Sequence, residues 1–334
     1  MNRRVPITIA GIIAACMASY VIAQQFEPLK AKVTVQVFDE AGKPFPNADV
    51  QIGFDDPKTR LAVYSKGKTD MHGLFTAEGV CDGMMGGSIK KDGYYDSGFP
   101  FKITGEKDGK WLPWNPICKT TLRPIGKPVA LYAKTVHLEI PELDKPCGFD
   151  LVTSDWVAPY GKGKEQDLIF KLIQDYHGIQ NYDLRGELTF NNPLDGVQES
   201  SIPDIGKYSE FKWERQAPEN GYNQKQELRN AWFPDGSGKK PIQSFKTQDI
   251  VINWDGYFFR VRTMEQDGKI VSAHYGKILG GVMVYPGRKT GKPKIDFTYY
   301  FNPTSNDRNL EWDTKKNLFS GLNNDETPHP SWWP

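Results

Sequence analysis

The stretch KAKVTVQVFDEAGKPFPNADVQIGF, residues 30–54, decides the fold. Val33, Val35 and Val37 alternate with Lys32, Thr34 and Gln36, and a period of two places the valines on one face of a half-buried strand. Ala48, Val50, Ile52 and Phe54 alternate in the same way with Asp49, Gln51 and Gly53, which predicts a second strand. Between the two, Asp39 and Gly42 start a turn that Pro44 and Pro46 stiffen. Working outward, LAVYSKGKTD (61–70), GLFTAEGV (73–80) and GGSIKKDGYY (86–95) continue the pattern at short spacing, with Gly73 expected at positive φ beside Asp70. Short alternating strands set off by turn residues predict an antiparallel β-sandwich, and an all-β protein.

KTTLRP (119–124) and KPVALYAKTVHLEI (127–140) read as the closing strands of this sandwich. Pro141 and Pro146 then mark a boundary. The predicted organisation is a signal peptide at 1–23, a first β-sandwich domain at 24–140, a linker at 141–146, a second β-rich, sandwich-like domain at 147–320 and a mobile tail at 321–334. In the second domain DLIFKLIQDY (167–176) fits two periods. Leu168, Leu172 and Tyr176 recur at helical spacing, while Leu168, Phe170 and Leu172 alternate as a strand does; the strand is preferred. DLRGELTF follows at hairpin distance, and residues 191–240, rich in Pro, Gly and Asn, are expected to form long surface loops. DIVINW, GYFFRVRTM, KIVSAHYGKIL, GVMVY and KIDFTYYFN are strands separated by turn signals, with Asp267-Gly268 a strong hairpin turn.

The first domain resembles the carboxypeptidase regulatory-like domains, which share a transthyretin-like, or prealbumin-like, seven-stranded Greek-key sandwich. The resemblance covers roughly residues 30–135. It is carried by Val33 to Val50, by GKTDMHGLF from Gly67 to Phe75, and by KDGYY from Lys91 to Tyr95. It implies an accessory or linking module and no chemistry. The stretch from Thr104 to Cys118, with Trp111 and Trp114 among Pro113 and Pro116, departs from the pattern as an insertion. Residues 147–320 resemble no family.

Arg3 and Arg4, the apolar run VPITIAGIIAACM and the small-residue site at Val21 to Ala23 read as an export signal cut after Ala23. The alternative is a lipobox at Ile13 to Cys16, with Cys16 acylated. Either route expects a periplasmic or extracellular protein, or an outer-membrane lipoprotein held only by its N-terminal lipid. With 42 Lys+Arg against 41 Asp+Glu, the formal charge of +1 gives no electrostatic reason for a nucleic-acid partner. Cys81, Cys118 and Cys147 show no C-x-x-C spacing; a disulfide between Cys81 and Cys118 is expected, since both flank strands of the first domain.

The search for chemistry excludes more than it finds. No histidine has a glutamate three positions on, as a carboxypeptidase zinc site would need: Phe75, Ile140, Gln180, Lys277 and Trp332 stand there. H-E-x-x-H and G-x-S-x-G are absent. Gly287 to Lys292 is one residue short of a phosphate loop, and Pro293 replaces the magnesium-holding Ser or Thr. No cofactor, metal or catalytic residue is predicted. His72 reads as an exposed turn residue, His274 as a strand residue without a nucleophile beside it, and Asp296 with Glu311 as a glycosidase pair only if folding joins them. Trp213, Tyr222 and Trp232, in polar loop-rich sequence, are the candidate ligand-binding residues, set against ordinary packing. The expected role is a non-enzymatic binding or adhesion protein of a bacterial cell envelope, with an envelope protein or glycan as partner. The alternatives are a secreted carbohydrate-active hydrolase and a structural envelope or appendage subunit, which the Trp332-Trp333 end could join to a neighbour.

Overall fold

A computed structural model describes residues 29–56, 58–235, 237, 256–288 and 291–328. The export signal with Cys16, the DIVINW stretch and Trp332-Trp333 lie outside these residues. The chain divides into two compact units, Met1–Lys91 with Asp96–Leu122, and Asp92–Tyr95 with Arg123–Pro334. Both are built of β-sheets, as the alternation predicts.

The first unit contains β1 (Leu29–Phe38), β2 (Asp49–Asp55), β3 (Ala62–Lys68), β4 (Leu74–Cys81), β5 (Met85–Lys90), β6 (Gly105–Lys107), β7 (Lys110–Leu112) and β8 (Ile117–Thr121). One sheet has β4 on one side of β1 and β7 and β8 on the other; the second has the order β3-β2-β5. Val33, Val35 and Val37 from β1 and Val50, Ile52 and Phe54 from β2 are buried in its core, and these faces drive its closure. The turns are made by side-chain acceptors. Asp39 Oδ1 accepts from Ala41 N and Lys43 N, and Asp70 Oδ1 from His72 N and Leu74 N. Gly42 and Gly73 take φ of 76° and 73°. The 104–118 insertion supplies the β6–β7 hairpin, so this unit has eight strands where the resemblance implied seven.

The expected Cys81–Cys118 disulfide is not formed; all three described cysteines are free, buried thiols. The register gives the reason. Cys81 pairs with Leu29 on one side of β1, and Cys118 with Val35 on the other. Six positions of strand amount to about 20 Å, far beyond the ~7 Å Cα limit for a disulfide.

The second unit contains β9 (Val129–Glu139), β10 (Cys147–Asp150), β11 (Asp155–Trp156), β12 (Leu168–Gly178), β13 (Asn181–Thr189), β14 (Gly196–Ser200), β15 (Lys225–Trp232), β16 (Gly256–Gln266), β17 (Lys269–Tyr285), β18 (Lys294–Asn302) and β19 (Trp312–Asn317). They form a five-stranded sheet, β11-β10-β12-β13-β15, and a six-stranded sheet, β14-β16-β17-β18-β9-β19. Between them lies an aromatic core in which Phe149 meets Trp156, Phe297 and Tyr299 edge-on. The layers are also tied by hydrogen bonds: Tyr299 Oη donates to Leu151 O at 2.7 Å and Asn230 Nδ2 to Val284 O at 2.7 Å.

β9 corrects the expected domain boundary. It pairs with β18 from Lys294↔Glu139 to Phe301↔Tyr132, and so belongs to the second unit. Pro141 to Pro146 therefore joins the two sheets of one unit rather than two domains, because proline punctuates either kind of connection. The first part of the expected mobile tail is anchored as well: Thr135 N donates to Glu326 O at 2.8 Å and Lys134 pairs with Glu326 at 2.9 Å. Asp267-Gly268 makes the predicted tight turn, with φ of 53° and 71° between paired Gln266 and Lys269. The break expected between KIVSAHYGKIL and GVMVY is instead a bulge inside β17, where positive φ at Gly280 and Gly281 shifts the register without ending the strand.

Candidate functional site

Alternation along the six-stranded sheet buries both of its faces. Phe259, Val261, Ile278, Phe297, Tyr299 and Phe301 fill the sandwich core. Phe258, Tyr275, Lys277 and Tyr300 project from the opposite face. A cover of irregular chain, residues 201–224, lies on that second face, its Trp213 and Ala217 packed with Phe258, Tyr275 and Leu310. The cover is fastened by backbone pairing: Ala217 N donates to Arg308 O and Leu310 N to Arg215 O, each at 2.8 Å.

Beneath it sits the most chemically loaded cluster of the described residues. Phe258, Lys277, Tyr300 and Ala133 form one row across β16, β17, β18 and β9. Lys277 is 5% exposed, with Nζ 5.2 Å from the Phe211 ring centre and 5.1 Å from that of Tyr300. The Phe211 ring also receives Arg123 at 4.8 Å and Arg215 at 5.5 Å, and stacks on Tyr95 at 5.2 Å. Ring quadrupoles thus stand in for part of the lost hydration of the cations. Burial, aided by the Arg123 charge and opposed by Glu311, pushes the Lys277 amine down to about 7.

Glu311 is the carboxylate of the cluster and is fully engaged. Buried, it accepts from Tyr95 Oη (2.8 Å), Gly126 N (2.7 Å) and Lys127 N (2.9 Å), with Arg215 Nε at 3.7 Å. This latch explains why residues 92–95 belong with the second unit. Arg123 Nη1 donates to the Phe211 and Trp213 carbonyls at 2.8 and 2.9 Å, fixing the cover's backbone. Burial and the Glu311 hydrogen bond hold the Tyr95 phenol above its usual range.

A second polar cluster pins the two sheets together. Arg262 sits at φ 56° in a bulge of β16 and donates two hydrogen bonds to Asp167, at 2.7 and 2.8 Å, with Asp150 at 3.6 Å. A non-glycine residue in this conformation is strained, and the bidentate pair is what holds it. His274 lies beside it; burial and the Arg262 charge lower its pKa, so the imidazole is neutral at pH 7, and its Nδ1 has no hydrogen-bond partner.

The residues singled out from sequence fall as follows. Trp213 is 2% exposed and stacks edge-on against Phe258 at 5.4 Å, so it offers no ring face to a ligand in solvent; it is a core residue. Tyr222 packs against the same cluster, and its Oη donates to Pro218 O at 2.7 Å. Trp232 ends β15 opposite Tyr182, a different place in the unit. The three therefore make no common platform.

Asp296 and Glu311 are not brought together. Asp296 pairs with His137 and Glu311 bonds to Val129, eight positions apart on β9 and so about 26 Å along the strand. His72 is exposed in its turn, where the Asp70 carboxylate is occupied by backbone donors. Among the described residues no group of three or more His, Cys, Asp or Glu is placed to hold a metal ion. Sequence reasoning missed Lys277 and the cover. The signals were a lysine flanked at two-residue spacing by Tyr275 and Leu279, and the alternation of buried Phe211, Trp213 and Ala217 with Lys212, Glu214 and Gln216.

In the first unit, one end of the β3-β2-β5 sheet has an uncovered apolar margin. Leu61 is 70% exposed, Val63 59%, Tyr64 54% and Met84 59%. Val63 pairs with the core residue Phe54 and so lies on the inward face, yet nothing among the described residues covers it. A cleft of about 360 Å³ lies on the opposite face of the same sheet, lined by Gln51, Lys66, Lys68, Ser88 and Lys90.

No protein-family model matches the chain, and no curated protein does. A solved structure with partial likeness is a 3-chlorocatechol 1,2-dioxygenase from Rhodococcus opacus 1CP. It is 10% identical over 30% of this chain and 62% of that one, with a TM-score of 0.23. The match spans less than two thirds of the dioxygenase, and a likeness this small bears on neither fold nor chemistry.

Proposed function

We propose that the chain is an exported, non-enzymatic binding or adhesion protein of a bacterial cell envelope. Its first unit, a carboxypeptidase regulatory-like module by resemblance, holds a protein partner along the β3 margin. The observation that carries this reading is Val63, an inward-facing valine left uncovered, with Leu61 exposed two positions before it, on a strand with one hydrogen-bonded neighbour among the described residues. Contiguous exposed apolar side chains at a sheet edge mark an interaction surface, since burying them on a partner recovers the hydrophobic free energy that the isolated unit forgoes. An extended partner segment adding to β3 would satisfy the free backbone groups at the same time. The export reading rests on Arg3, Arg4 and the Val21 to Ala23 site.

The test uses the full chain expressed with its own N-terminus. Intact mass should begin at Gln24; a diacylglyceryl adduct on Cys16 would mean lipid anchoring, and a chain retaining Met1 would end the export reading. A photo-crosslinking residue in place of Leu61 should give a discrete envelope-protein adduct that Val63→Glu abolishes. Equal adducts from a crosslinker at exposed Glu106, or adducts indifferent to Val63→Glu, would overturn the β3 assignment.

A further inference from the structure

The alternation that buries Val50, Ile52 and Phe54 turns Asp49, Gln51 and Gly53 to the outer face of the β3-β2-β5 sheet, where the register lays three rows across the strands. Lys68, Asp49 and Lys90 make the first row, Lys66, Gln51 and Ser88 the second, and Tyr64, Gly53 and Gly86 the third. The first row is self-neutralised: Lys68 Nζ donates to Asp49 at 2.6 Å, and Lys90 pairs with Asp96. The second row is not. Lys66 has no carboxylate partner among the described residues, and the Gln51 amide and Ser88 hydroxyl have no hydrogen-bond partner there. These three side chains line the cleft of about 360 Å³, a volume within the roughly 300–1,000 Å³ of small-ligand sites. The third row sets an aromatic ring beside it. A Cβ at Gly53 would lie 3.0 Å from the Tyr64 ring, so the ring occupies the space above that glycine, while a Cβ at Gly86 would meet nothing within 4 Å. Tyr64 is 54% exposed, with Lys66 Nζ 5.8 Å from its ring centre.

We infer that this outer face binds an acidic polysaccharide, with a sugar ring stacked on Tyr64, a uronate carboxylate on Lys66 and neighbouring hydroxyls on Gln51 and Ser88. Each group makes one chemical demand. The aromatic face takes the C–H face of a pyranose, and the ammonium takes a carboxylate. The amide and the hydroxyl both donate and accept, which suits sugar hydroxyls. The row of Lys66, Gln51 and Ser88 crosses three strands, roughly 10 Å, so the ligand is a chain rather than a single ring. One unpaired cation fits a polymer of sparse charge. A nucleic acid brings a phosphate at every residue, and the flanking Lys68 and Lys90 that would meet them are already held by Asp49 and Asp96. This face lies opposite Val63, so it is separate from the proposed partner margin.

The test titrates the full chain by calorimetry with a hyaluronan hexasaccharide, in which uronate alternates with a neutral amino sugar. Lys66→Met should weaken binding about 10-fold or more, and Tyr64→Ala by a similar factor, as the loss of a charge-assisted contact and of a stacking ring. The same hexasaccharide with its carboxylates reduced to alcohols should bind about 10-fold more weakly than the native one. Gly86→Val fills the open step beside Tyr64 and should also weaken binding, yet its Cβ enters empty space, so Tm should not fall. Lys119→Met removes an exposed lysine from the other sheet of the unit and should leave the affinity within about 2-fold. Val63→Glu should leave it unchanged as well, so failure of the β3 partner reading would not carry this site with it. Equal binding of the reduced sugar, of polyglutamate or of single-stranded DNA would overturn the inference. So would equal losses in Lys119→Met and Lys66→Met, indifference to Tyr64→Ala and Gly86→Val, or no binding of the hexasaccharide at millimolar concentration.

Discussion

Replacing Lys277 by methionine removes a buried charge while keeping an unbranched side chain of similar volume between Phe211 and Tyr300. The amine sits at about 7 in the folded protein against an ordinary 10.5. Because the folded value is the lower one, the lysine destabilises the fold most below pH 7, where it is protonated both folded and unfolded. Between pH 7 and 10.5 the unfolded chain holds a proton that the folded one lacks, and stability climbs by up to ~1.4 kcal/mol per pH unit. The whole penalty is roughly 5 kcal/mol at one pKa unit per ~1.4 kcal/mol. Losing two ring contacts subtracts about 1–2 kcal/mol. Lys277→Met should therefore be about 3 kcal/mol more stable than wild type at pH 6, with the gain shrinking as the pH rises toward 10. Urea unfolding across this range measures the difference directly. Parallel stability profiles for the two proteins would refute the reasoning.

Glu311→Ala strips Tyr95, Gly126 and Lys127 of their common acceptor and should cost about 3–5 kcal/mol, with Glu311→Gln costing less because it keeps one oxygen; urea unfolding ranks them. Gly73→Ala places a Cβ 2.4 Å from the Val37 carbonyl at φ 73°, and should lower stability by at least ~1–3 kcal/mol, with a matching fall in Tm. Cys81, Cys118 and Cys147 should react with an aromatic disulfide reagent only after unfolding; a disulfide-linked peptide in a non-reducing digest would contradict the register of β1.

What could be read from sequence is what depends on near neighbours. The valines of β1 and the Asp267-Gly268 turn declare themselves within a few residues, because side-chain alternation and positive φ are local demands. The allegiance of β9 is not local: its alternation is the same whichever sheet it joins, and its partner β18 begins at Lys294. The break expected after KIVSAHYGKIL misled for a related reason, since a bulge and a turn ask the same backbone freedom of glycine. Trp213 looked like a loop residue because Lys212 and Glu214 flank it. Irregular chain laid over a sheet face has no regular period to show, from its neighbours alone, which of its rings go under. Lys277 was illegible as a site because its neighbours Phe211, Arg123 and Glu311 come from three distant segments.

The place of β9 in the six-stranded sheet also governs the order in which the chain can fold as it is made. Strands β1 to β8 are complete once Thr121 has emerged, so the first unit can close early and alone. β9 comes next, yet both strands that flank it, β18 and β19, are near the end of the sequence. Until they arrive, a long strand with two unpaired edges and two apolar faces stands open, and its closure joins Tyr132 to Phe301 across most of the unit. Such distant pairing is slow and exposes aggregation-prone edges. The second unit is therefore the one whose yield should depend on chaperones, and the one in which a truncation anywhere before Asn317 leaves β9 without its full set of neighbours.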